Sequence, residues 1–500
     1  MSSSRLPGCI AVLLLAGVAS LSAATMGVQE PAGYSSRIDG SATDFVFDSA
    51  SDAAGNVLVV GRSRSSVLNL TVARDRGDDN TGRPGVSQSD QLVANTNGGG
   101  FVIKYNSSGD IVWKRFVGSH STDSINGVTT DAAGNVYVVG TFGGLTPISF
   151  GGILSLTATA RSNVNFNNTL PTNQGSPAQN VFVAMLDPDG NWLWARQFEY
   201  ALFPSDVNAN SAANLGVEVS NGAPVITTDA DSNPQRSIMD GNGHALLRDS
   251  DGNLYVKMRV YGTVATPANS RVYWVRTGGT DTGQVAAELV TGGGAQISYS
   301  SAFIGKLAAT PPPPGSPAGT LPTYDWRWIA PINSDVPYDA SKQFTSISIT
   351  PHPGSITGMA LDSNGSLYVT GAWAGALVAL GPQPAPTTAT TAADGYVLRL
   401  RTIDSAPIWF ARYRSEGGGG SFGGGLVLDE HTPANVFLTG AVNNASTLRF
   451  ISADTSSTTR SFGYSGAANT GFFIAKVNPS GQWLWSEVPA ASGNTGVTTK

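Results

Sequence analysis

Cysteine is nearly absent. The only one in 500 residues is Cys9, which sits ahead of an apolar run near the N-terminus. In a lipoprotein signal the cysteine follows such a run, so Leu6-Pro-Gly-Cys9 is not read as a lipidation box. Without other cysteines the mature chain has no disulfide, and sheet packing must supply its stability. Charge is also scarce: 13% of residues are charged, the net charge is -6, and no basic groove is legible that could hold nucleic acid. The four histidines, His120, His244, His352 and His431, lack the close spacing of a zinc motif. Long helical periodicity is missing throughout, and no segment after the N-terminal one offers the ~20 apolar residues a spanning helix requires.

What is abundant is glycine, 60 of 500 residues, among many short apolar runs. That balance describes buried strands joined by turns. Residues 1–24 read as a secretory signal, with Arg5 as the positive start, an apolar run from Ile10 to Leu21, and the small residues Ser22-Ala-Ala24 before the cleavage point. The mature chain is expected to begin near Thr25 and to lie in the cell envelope or outside the cell.

A unit of about 80 residues then recurs, and repeated units of that kind stack into one body. Its clearest copy opens with Gly127-Val-Thr-Thr, turns at Asp131-Ala-Ala-Gly-Asn135 and returns as Val136-Tyr-Val-Val-Gly140. After a long polar loop, Val181-Phe-Val-Ala-Met-Leu186 leads through Asp187-Pro-Asp-Gly-Asn191 into Trp192-Leu-Trp194. Three columns hold their phase over five copies: Trp113, Trp194, Trp328, Trp409 and Trp485 in the fourth strand; Phe101, Phe182, Phe303, Tyr396 and Phe473 opening the third; and Lys104, Met185, Lys306, Arg399 and Lys476 three residues later. Four short strands cannot bury both faces of a sheet alone, so each unit needs neighbours of its own kind.

Each column has a physical reading. Asp at the head of an Asp-x-x-Gly-Asn turn caps the turn backbone, and Gly supplies a positive φ. The tryptophan pairs Trp192/Trp194, Trp326/Trp328 and Trp483/Trp485 sit two apart, which predicts that each pair shares one face and fills a wedge between sheets. The Lys or Arg lays its stem on apolar surface and keeps its charge wet. Gly417–Gly420 and Gly423–Gly425 read as a flexible connection, and Pro311-Pro-Pro-Pro-Gly-Ser-Pro317 as a protruding extended loop.

These motifs resemble the bacterial β-propeller repeat family abbreviated SBBP. Its units carry an Asp-x-x-Gly-Asn-x-Tyr-Val-x-Gly hairpin, an aromatic-Val-x-Lys strand and an Asn/Asp-Pro-x-Gly turn before a Trp, matched here by Asp131 to Gly140, Phe472 to Lys476 and Asn478-Pro-Ser-Gly481 to Trp485. The resemblance implies an all-β chain of four-stranded antiparallel blades, about five of them, in a secreted or envelope protein. It brings no catalytic residues. The expected organisation is a signal at 1–24, a short leader at 25–39, the propeller at 40–490 and the start of a further repeat or a closing strand at 491–500. Gly496-Val-Thr-Thr499 repeats Gly127-Val-Thr-Thr130, so either the last strand helps to close the ring or the natural chain runs on; the second reading is favoured.

Strand parity places the loops after strands two and four at one end: residues 62–100, 141–180, 199–243, 262–301, 372–394 and 441–471. Loops on a rigid scaffold concentrate binding residues, which points to a non-enzymatic binding, adhesion or scaffolding module with a protein or glycan partner. A carbohydrate-active hydrolase or lyase with carboxylates at the channel mouth and a structural surface repeat are the alternatives. No catalytic, cofactor-binding or metal-binding residue is assigned, and no cofactor is expected. Asp187-Pro-Asp-Gly-Asn and Asp249-Ser-Asp-Gly-Asn look like calcium loops but place Phe198 and Val260 where an EF-hand needs glutamate. Arg74-Asp-Arg-Gly-Asp-Asp79 reads as a solvated loop, and the glycine run lacks the Lys-Ser/Thr of a phosphate loop.

Overall fold

The structure, a computed structural model, describes residues 34–74, 85–93, 98–118, 123–143, 148–150, 154–156, 179–204, 217–220, 223–226, 236–238, 246–261, 270–277, 285–290, 301–317, 320–332, 355–373, 394–416, 421–431, 433–443, 447–461 and 470–487. The signal, the segment 491–500, His120, His244, His352 and residues 75–79 of the charged cluster lie outside them. All regular structure among the described residues is antiparallel strand. None of their helices is long and apolar enough to cross a membrane.

All five copies are present in the order the columns predict. The first has strands Asp44–Ser51, Val57–Ser63, Gly99–Tyr105 and Ile111–Val117; the second Ser124–Thr130, Val136–Gly143, Gln179–Leu186 and Trp192–Pro204; the third Leu246–Arg248, Leu254–Tyr261, Ser301–Thr310 and Thr323–Ile332. The fourth has Ser355–Leu361, Ser366–Trp373, Asp394–Arg401 and Pro407–Glu416, and the fifth Ser421–Leu428, Val436–Asn443, Thr470–Val477 and Trp483–Glu487. Within each copy the strands pair one to two to three to four.

The turns form as their residues require. Asp131 Oδ1 accepts from the backbone N–H of Ala133 and Asn135, its Oδ2 accepts from the Asn135 amide, and Gly134 takes φ +83°. Asp52, Asp187 and Asp249 hold their turns through Asn56, Asn191 and Asn253 in the same way, with Gly55, Gly190 and Gly252 at positive φ, and Asp429 holds Asn435 across a turn two residues longer that has no glycine.

Two compact units are formed, Met1–Ala158 with Phe182–Arg196, and Thr159–Val181 with Gln197–Lys500. In the first, Leu58, Val102, Trp113, Val138, Phe150, Phe182 and Trp192 form one core between the first and second copies. In the second, Tyr255, Ile304, Trp328, Val369 and Tyr396 fill the space between the third and fourth copies, and Val397, Trp409, Leu438, Phe450 and Phe473 that between the fourth and fifth. The hydrophobic stabilisation therefore lies mainly between successive sheets.

Several expectations need correction. The sheets are not uniformly four-stranded: the fifth is, but the first and the fourth carry six strands each. Tyr34–Gly40, at the end of the leader, is a strand paired along its length with Val67–Arg74. Gly423–Gly425 belongs to the first strand of the fifth copy. Gly423 faces Gly440 and Leu426 faces Leu438, so two glycines form a bulge. A Cβ on Gly358 of the fourth copy would stand 3.3 Å from Gly424 O, and side chains at this bulge would obstruct that approach. The segment 311–317 is loop, as expected, at the end of a hairpin in which Ala308, Ala309 and Thr310 face Asp325, Tyr324 and Thr323.

Candidate functional site

The alignment of tryptophan and cation is set by register. Lys104 faces Trp113, Lys306 faces Trp328, Arg399 faces Trp409 and Lys476 faces Trp485, and in all four a bulge follows immediately. That bulge overturns the shared-face expectation for the pairs. Lys476 and Val477 are consecutive and point to opposite faces, and they face Trp485 and Trp483 respectively. Leu484 is the extra residue, so the two tryptophans project from opposite sides of the sheet.

The column tryptophan reaches the next copy at Trp113, Trp328 and Trp409. Trp113 Nε1 donates to Pro188 O at 2.8 Å, Trp328 to Thr402 O at 3.0 Å and Trp409 to Pro479 O at 2.8 Å. Each acceptor lies in the turn between the third and fourth strands of the following copy. The facing cation donates to the same carbonyl: Lys104 at 3.3 Å, Lys306 at 3.1 Å and Arg399 at 3.1 Å. In two of the three joints the indole lies on a glycine of the turn. A Cβ on Gly190 would stand 2.7 Å from the Trp113 ring, and one on Gly481 2.9 Å from that of Trp409; both glycines have φ +80°.

The cation also ties this joint to the first turn of its own copy. Lys104 Nζ lies 3.0 Å from Asp52 Oδ2 with both side chains buried, and Arg399 lies 3.6 Å from Asp362. Where the second strand carries tyrosine, its hydroxyl donates to the same aspartate, as in Tyr137 to Asp131, Tyr255 to Asp249 and Tyr368 to Asp362. The second copy has Met185 in the cation column, and Trp194 Nε1 there donates to the Met185 sulfur at 3.2 Å. The turn that would follow it, in the third copy, is the one replaced by the proline insertion.

The first tryptophan of the pair serves a second device. Long loops after the second strands fold in part into two-stranded arms. Ile148–Phe150 and Leu154–Leu156 form one, whose Phe150 pairs with Val117 at the end of the first copy. Thr447–Ile451 and Ser457–Ser461 form another, laid along Arg412–Glu416 of the fourth copy. Ser270–Thr277 and Val285–Val290 pair likewise along Gln197–Pro204, and Val67–Arg74 with Gly85–Val93 along the leader strand. The aromatic clasp beneath two arms is the same: Phe150 meets Phe182 and Trp192 at 5.2 and 4.9 Å, and Phe450 meets Phe473 and Trp483 at 5.3 and 4.9 Å. The sequence columns mark the residues of the joints, but the cation is not wet as expected: Lys104 is buried against Asp52 and Pro188 O. The arms were missed because their strands share no motif.

His431 is a turn residue, exposed, with Nδ1 3.0 Å from Asp429 Oδ2. Desolvation pushes the Asp429 carboxyl up, but the Asn435 side chain and N–H, the His431 N–H and the nearby imidazole outweigh it and bring the carboxyl to about 2. Its folded value lies below its unfolded one, so its stabilisation is present above pH 4 and is lost as pH falls towards 2. An NMR titration should place the Asp429 midpoint near 2, and higher in His431→Ala; equal midpoints in the two proteins would refute the His431 contribution.

Residues 112–141 match the family model described as beta-propeller repeat, SBBP. The chain carries an SBBP beta-propeller repeat. The match runs from the fourth strand of the first copy, beside Trp113, through the first hairpin of the second, so it spans a junction between sheets. No curated protein matches the chain.

Proposed function

We propose that the chain is a propeller-type module whose five copies stand as blades about one axis, and that it acts without catalysis as a secreted recognition or scaffolding protein. The observation that carries this reading is the joint itself, one turn carbonyl held by an indole and a cation, built the same way between the first and second, the third and fourth, and the fourth and fifth copies. Such repetition yields a rigid body on which arms and loops vary. The leader strand bears an arm as the fourth strands do, which supports its counting as the fourth strand of a blade. The first-turn aspartates do not favour a hydrolase, because their carboxylate oxygens are taken by turn amides and by Tyr, Lys or Asn side chains.

Recognition is assigned to the end that carries the arms, with a protein or glycan partner. Ser457–Ser461 is an outer strand with exposed residues, and Arg449 beside it is also exposed. Glycan-array and pull-down screens of the mature chain should return a partner whose affinity falls about tenfold in Arg449→Asp/Arg460→Asp. Retention of full affinity in that variant, or no partner in either screen, would leave the structural reading. N-terminal sequencing of exported protein should begin near Thr25.

A further inference from the structure

Within the second unit, the joints leave two members without counterparts among the described residues. The fifth copy has a complete socket: Lys476 faces Trp485, lies 3.9 Å from Asp429 and sits 4.7 Å from the Phe437 ring, which in turn meets Trp485 at 6.1 Å. Yet Trp485 is 39% exposed where Trp113, Trp328 and Trp409 are 7, 9 and 7% exposed. Its neighbour Leu484 is 52% exposed, and the Trp485 indole makes no hydrogen bond among the described residues.

The unmatched turn is in the third copy. Its place between strands three and four is taken by the proline hairpin, where Ser316 N–H donates to Pro313 O at 3.1 Å and Gly315 has φ +89°. A Cβ on Gly315 would meet nothing within 4 Å, and Pro311, Pro313, Pro314 and Pro317 are exposed. Pro314 holds the second turn position, the one occupied by Pro188 and Pro479 in the engaged joints.

We propose that the socket of one chain takes the proline hairpin of a second copy, through Trp485 and Lys476. The socket supplies what the three engaged joints supply, an aromatic face, an indole donor and a cation directed at one carbonyl. The hairpin supplies a rigid proline surface that packs on an aromatic face at little entropic cost. The contact is heterologous, one surface meeting a different one, so it joins copies head to tail.

Sedimentation of the mature chain over a concentration series, together with titration of a synthetic peptide of residues 310–323 followed by tryptophan fluorescence, tests this. Self-association and saturable peptide binding are expected, both weakened at least about tenfold in Trp485→Ala and in Lys476→Met. Ile403→Ala, at an exposed site elsewhere, should leave both unchanged. A chain that stays monomeric, a peptide that does not saturate, or binding undiminished in Trp485→Ala overturns the proposal. Peptide binding without self-association overturns the second copy as occupant and places the proline ligand on another protein.

Discussion

Trp409→Ala should cost about 3–5 kcal/mol of folding stability, while Trp485→Ala costs under about 1 kcal/mol. The two tryptophans occupy the same column and face equivalent cations, so composition and local strand propensity do not distinguish them. What differs is what they touch. Trp409 is 7% exposed, lies on Gly481 of the next copy and donates to Pro479 O at 2.8 Å. Its removal opens a cavity between two sheets and leaves Arg399 as the remaining donor to that carbonyl. Trp485 is 39% exposed and meets Phe437 of its own sheet. Denaturant unfolding of the two variants, with unchanged slope as the control for compactness, provides the comparison. Similar losses in both would mean that the column contributes within each sheet and that the joint adds nothing.

The sequence made the joint end of each copy legible and left the arm end obscure. At the joint, chemistry restricts the residue. Only Gly fits beneath the Trp113 ring at Gly190, and an Asx side chain must cap the turn. An indole then supplies both a flat surface and a single donor. Three such requirements at fixed offsets produce columns that survive without an alignment. The arms need only backbone pairing along an exposed strand edge, which nearly any extended segment satisfies. Thr447-Leu-Arg-Phe-Ile and Ile148-Ser-Phe therefore share little beyond the phenylalanine that enters the clasp. The long loops were correctly located after the second strands, but their pairing with the preceding fourth strand depends on a neighbouring copy that local pattern cannot supply. The tryptophan pairs failed for a related reason: spacing of two implies one face only in a regular strand, and the bulge at Leu484 is invisible in the alternation of residues.

The second copy carries a different residue set around its first turn, and this leads to a test in the first. Lys104 is 4% exposed, and its ammonium lies 3.0 Å from Asp52 and 3.3 Å from Pro188 O. Lys104→Met should destabilise by about 3–5 kcal/mol, because one member of a buried ion pair is removed and the other is left charged. Desolvation already pushes the Asp52 carboxyl up, and it is the Asn56 and Lys104 contacts that hold it below its ordinary 3.8. The stabilisation from the pair is thus present above about pH 4 and fades as pH falls, so wild type and variant should converge in acid. In the second copy Met185 already occupies this column, and Asp131 Oδ2 accepts instead from Tyr137 at 3.2 Å. Leu58 stands six residues after Asp52, as Tyr137 does after Asp131, and it is fully buried. Leu58→Tyr added to Lys104→Met should therefore restore part of the lost stability by giving Asp52 the hydroxyl donor that Asp131 has. Thermal unfolding at pH 7 and pH 3 reads both effects. A double variant less stable than Lys104→Met alone would show that the hydroxyl cannot replace the ammonium in the first copy, and that the two solutions depend on the turn each copy must hold.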